Sequence, residues 1–136
     1  MGLTVRRSIA IFAIVTEQFR EELKAELQEA ITATQQRIDQ MDFQSRRFLA
    51  DLQATDLTQA MNARRQIEAE KRRHEALKQE LNQQLVEADT LEMGSEFARG
   101  TIEGTVEINV GDDLMQKVTG AAMVVKDGAV VAIREA

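Results

Sequence analysis

Apolar residues recur along this chain with two periods, and the change of period divides it. From Thr16 to Leu91 there is neither Gly nor Pro, and apolar positions step by three and four. Ile31, Thr34, Ile38, Met41, Ser45, Phe48 and Leu52 form a heptad seam, the mark of a helix that keeps one face against a partner. Upstream, Phe19, Leu23, Leu27 and Ile31 step by four each time, which relaxes the supercoil locally. A second seam runs through Leu57, Met61, Ile67, His74, Leu77, Leu81, Leu85 and Ala88. Its middle is thin, because Arg64, Glu70 and Lys71 share that face.

At ~1.5 Å per residue the stretch makes one helix of about 110 Å or two of about 55 Å. Three features predict two. Ala54-Thr55-Asp56 is the only cap signal, and Asp56-Leu57-Thr58-Gln59 fits a capping box. Folding at residues 54–55 sets Leu52 near Leu57, Phe48 near Met61, Met41 near Ile67, Leu27 near Leu81 and Leu23 near Leu85. Both flanks read as strands, and strands need partners that only a hairpin brings within reach. Residues 16–93 are therefore expected to form an antiparallel coiled-coil hairpin with its turn near 54–56.

The first flank holds Ile9–Val15, an unbroken apolar run of strand length, read as a strand buried on both faces. Arg6 and Arg7 before it resemble the start of a signal peptide. The run is too short to span a membrane, and no small-residue cleavage site follows it. In the second flank Gly94 is expected as the C′ residue of the second helix. The period then becomes two: Ile102, Val106, Ile108 and Val110 oppose Glu103, Thr105, Glu107 and Asn109, with Gly100 and Gly104 marking a bulge or bend. Asp113-Leu114-Met115-Gln116 reads as a capped helical turn. Asp127-Gly128 between Ala122–Lys126 and Ala129–Ile133 reads as a type I′ hairpin. The expected fold class is α+β: a long antiparallel α-helical coiled-coil hairpin inserted into a small, mainly antiparallel β-sheet or barrel built from residues 1–15 and 94–136.

Candidate chemistry is sparse. Without Cys there is no disulfide or thiol, and His74, the one imidazole, cannot hold zinc by itself. A seam residue that fixes register is the role expected of it. Asp112, Asp113 and Asp127 lack the spacing of a calcium loop, and turn and cap duty accounts for all three. Ser95 follows Gly94 but lacks the second Gly of a nucleophile elbow. No catalytic residue, cofactor or metal ligand is expected, and the chain is not read as an enzyme.

Charge adds one more feature. The chain carries a net −6, yet Arg46, Arg47, Arg64, Arg65, Lys71, Arg72 and Arg73 cluster between Gln44 and His74. The hairpin tip is thus basic within an acidic protein. Arg46, Arg47, Arg64, Arg65 and Arg72 are the candidate partner-binding residues, and an acidic protein surface is the expected partner. Nucleic acid is less favoured, since it calls for more net positive charge and stacking aromatics, and only Phe43 and Phe48 lie near the tip. The small β part buries a modest core, which points to a homo-oligomer. The expected role is a non-catalytic interaction or scaffold protein of the cytoplasm, without membrane attachment. The alternatives are a prefoldin-like holdase chaperone or a ribosome- or RNA-associated accessory protein using the basic tip.

The layout of short strand, long charged helical stretch and small β tail resembles the YlqD-like family of uncharacterised bacterial proteins. Gly94-Ser95-Glu96, Val110-Gly111-Asp112-Asp113 and Val124-Val125-Lys126-Asp127-Gly128 carry the resemblance, which covers essentially the whole chain. The resemblance implies a bacterial, cytoplasmic setting. It supplies no activity and no catalytic residues to carry over.

Overall fold

The computed structural model describes residues 1–135, with elements in the order β1 (Leu3–Ile14), α1 (Glu17–Thr55), α2 (Leu57–Ala88), β2 (Glu96–Ile108), α3 (Leu114–Thr119), β3 (Ala121–Lys126) and β4 (Ala129–Arg134). The chain divides into two compact units: Met1–Glu22 together with the chain from Leu91 onward, and Leu23–Thr90.

The first unit is built on a four-stranded sheet in the order β2-β1-β3-β4. β1 pairs antiparallel with β2 along its whole length and parallel with β3 over Ile9–Ala13, while β3 and β4 form an antiparallel hairpin. The sheet is mixed and open, so the barrel alternative is corrected: β2 and β4 are free edges. Four strands curl without closing, and side chains tie the edges instead. Arg134 of β4 donates from Nη1 to Glu96 Oε2 of β2 at 2.9 Å, with a second bond from Nη2 to Oε1. Strand β1 also begins well before the expected Ile9, because β2 is long enough to pair Ile108 with Leu3. Arg6 and Arg7 thus lie inside the strand, and Arg7 reaches Glu135 at 3.0 Å.

Local chemistry explains the joins. Between Ile11↔Gly100 and Phe12↔Ala98 the residue Arg99 is extra, a bulge made possible by Gly100 at φ +130. The bulge sets Arg99 over the Phe19 ring, 5.4 Å from its centroid, and Phe97 tilts against the same ring at 5.4 Å. Thr16 caps α1 by accepting the Phe19 N–H at 3.0 Å, and its hydroxyl donates to Asp127 at 2.5 Å. Asp127 and Gly128 take φ 49 and 87, the type I′ turn expected for the β3–β4 hairpin. Val15 and Val124 are the largest wholly buried side chains of the described residues.

In the second unit Asp56 is the only residue between α1 and α2. It is extended (φ −150, ψ 101), accepts the Gln59 N–H at 3.1 Å and donates its own N–H to Leu52 O at 2.7 Å. The turn therefore falls where the cap signal places it. The other end of α2 differs from expectation. The helix stops at Ala88, where Thr90 N–H and Oγ1 both donate to Glu87 O, at 2.9 and 2.7 Å. Gly94 is not its C′ residue; it lies in the next turn and donates its N–H to Val15 O at 2.8 Å.

Candidate functional site

Three polar contacts set the antiparallel register of α1 and α2: Lys24–Asp89 at 2.9 Å, Lys78 to Gln35 at 2.6 Å and Lys71–Asp42 at 2.8 Å. Each lysine lays its aliphatic stem along the seam and keeps its head at the flank. The Lys71 ammonium is held above its usual range chiefly by its hydrogen bond to Asp42; partial burial and the nearby Arg46 act against this. His74 lies half-buried on α2 between Lys71 and Lys78, level with the stretch from Gln35 to Asp42, and 4.0 Å from Glu70.

This register revises the seams. Leu23, Leu27, Ile31, Thr34 and Ile38 are buried as expected, but Phe48 is 55 % exposed and its neighbour Leu49 is half-buried. On α2, Leu57 and Met61 are 60 % and 52 % exposed, and Ala60 is buried instead. Leu77 is also exposed, while Lys71 and Lys78 are partly covered. Counting apolar residues at heptad spacing missed this, because small Ala60 and the two lysine stems occupy seam positions that larger apolar residues were expected to fill.

The displaced residues build the surface near the turn. Leu57 and Met61 stand with Leu49 and Ala60 around a groove of about 250 Å³, and Arg64 and Arg65 lie along it. Arg46 and Arg47 line a different depression with Phe43 and Gln44. Arg72 belongs to neither and donates from Nε to the Glu68 carbonyl at 3.3 Å. The five candidate arginines thus fall into two pairs and a singleton. Among the described residues the side chains of Arg46, Arg47, Arg64 and Arg65 form no ion pair or hydrogen bond. Arg7, Arg20, Lys24, Lys71 and Arg134 each have a carboxylate. The arginines were legible from composition; the groove was not.

The remaining candidates have local partners. Asp113 caps α3 by accepting the Gln116 N–H at 3.0 Å, and Asp112 accepts the Asn109 N–H at 2.8 Å. Ser95 donates to the Glu92 carbonyl at 2.6 Å. Among the described residues no three His, Asp or Glu side chains converge as a metal site, and no helix is long and apolar enough to cross a membrane.

Comparison with known proteins agrees with this layout over its whole length. A protein of unknown function from Synechococcus sp. WH 8102, solved by crystallography, superposes with a TM-score of 0.91 at 28 % identity, covering 99 % of this chain and 96 % of that one. The uncharacterized protein YlqD of Bacillus subtilis (strain 168) is 26 % identical over 127 residues, 93 % of this chain and 94 % of its own length. The family model described as YlqD protein matches residues 3–134, and the chain belongs to that family.

Proposed function

We propose that this is a non-catalytic interaction protein whose helices pack as a coiled-coil hairpin and dock an acidic protein partner at the end that carries the turn. One observation carries the proposal: Arg64 and Arg65, without carboxylate partners, line one groove with the exposed Leu57 and Met61. The non-catalytic part is supported by the engagement of Ser95, Asp112 and Asp113 in turns and caps. Charge-led docking of this kind weakens with salt over a Debye length of about 8–10 Å.

The test replaces Arg46, Arg47, Arg64 and Arg65 together by Glu and repeats co-purification from the native host, with mass spectrometry of what is retained. Loss of a partner at ~0.15 M salt, with helical content unchanged, is the expected result. Recovery of every partner at the same salt would overturn the proposal. A holdase is the second reading, favoured by Phe43 at 81 % exposed and by Phe48, Leu57 and Met61. It predicts suppression of client aggregation that persists after the arginine reversal. Self-association through the sheet edge is part of the same proposal.

A further inference from the structure

We infer that the groove beside the turn seats one amphipathic, acidic helix, its apolar side chains against Leu49, Leu57, Ala60 and Met61 and its carboxylates on Arg64 and Arg65. This rests on the docking function proposed above and adds what kind of segment docks.

The groove itself restricts the occupant. Its walls belong to helices, whose backbone groups are already bonded within each helix, so an extended peptide finds no ladder to join. A helix brings its own backbone satisfied and offers apolar side chains on one face. Leu57 and Met61 are one turn apart on α2 and exposed, and the small, buried Ala60 lies between them. From Leu57 to Arg65 the wall runs for about 12 Å, which two to three turns of a helix would cover. Met61 adapts its shape to whatever enters.

Charge restricts it further. Arg64 and Arg65 form no ion pair among the described residues, although Glu68 lines the same groove, and a guanidinium fork suits a carboxylate in two-point contact. A second copy of this groove would instead gather four guanidinium groups around one apolar patch, which like-charge repulsion opposes. Nucleic acid fits less well, because no aromatic side chain lines this groove; Phe43 and Phe48, which bases would stack on, line other depressions.

The experiment is a methyl-detected NMR titration of the full chain. The probe is a synthetic helix-forming peptide with Leu at i, i+4 and i+7 and Glu on the flanking positions. Two control peptides carry Leu→Ala or Glu→Lys throughout, and oligouridylate is the nucleic-acid probe. The expected result is that the acidic peptide shifts the methyls of Leu49, Leu57 and Met61. Affinity should fall at least about tenfold with either control peptide, and likewise with the Met61→Glu protein, whose exposed site leaves folding intact. Binding with no groove shifts and undiminished affinity for the Leu→Ala peptide would overturn the inference while leaving acidic docking standing. Binding unaffected by Arg64→Glu with Arg65→Glu, or no binding at millimolar peptide, would overturn both. Tighter binding of oligouridylate at these methyls, or self-association abolished by Met61→Glu, would assign the groove to another occupant.

Discussion

Arg134 and Glu96 stand on the two edge strands, and their ion pair joins across the curled sheet what no ladder joins. The Arg134 hydrogen bond holds the Glu96 carboxyl below its ordinary 4.5, and Glu96 in turn raises Arg134. A carboxyl depressed on folding contributes stability above its unfolded value and loses it as pH falls through the folded one. Both groups are solvated, so the contribution is small. Wild-type melting should fall more steeply than that of Glu96→Gln from pH ~5 downward, the two curves meeting at low pH. Parallel curves would show that the tie contributes nothing. Lys71 is the mirror case: raised by Asp42, it contributes below 10.5 and loses its contribution above. At this scale the sequence was informative. Asp56, Asp113 and the Asp127-Gly128 pair act on residues within a few positions of themselves, so type and spacing alone announced their caps and turns.

Elements depend on partners far away in sequence, and there the signal thins. Ile38 is 2 % exposed on α1, whereas Phe48 on the same helix faces solvent. Ile38→Ala should therefore cost about 2–5 kcal/mol in urea unfolding, and Phe48→Ala no more than about 0.5. Similar costs at both sites would restore the heptad seam expected from the pattern. Both helices were legible from their period; which of Leu57 or Ala60 faced α1 was not, because spacing records apolarity and not which neighbour is present. The same blindness hid the groove, whose walls are the residues expected inside. In the sheet, β1 over Ile9–Ala13 and β3 are apolar on both faces, so no alternation labelled their parallel pairing or the order of the strands.

Each unit leaves one surface unfinished: the groove by the turn in one, the free edge of β4 in the other. The two sheet edges are not alike. Strand β2 carries Glu103 and Glu107 and a bulge, devices that discourage another strand from pairing. Strand β4 carries Val130, Val131 and an Ile133 that is 71 % exposed, and the first charge along it is Arg134. A register shift near Val131 blunts that edge only in part. Under the proposed self-association, β4 of a second copy, running antiparallel about a two-fold axis, would cover it. A six-residue strand buries less than the ~1,200 Å² typical of stable interfaces, so the dimer should be weak and concentration-dependent. Light scattering over a dilution series should show monomer giving way to dimer toward high micromolar protein. Replacing Ile133 by Lys removes ~1.5–3 kcal/mol of apolar burial per side chain, so the midpoint should move upward by at least about tenfold. A wild-type chain that stays monomeric throughout would leave β4 a solvated edge, and an unmoved midpoint in Ile133→Lys would send the contact elsewhere.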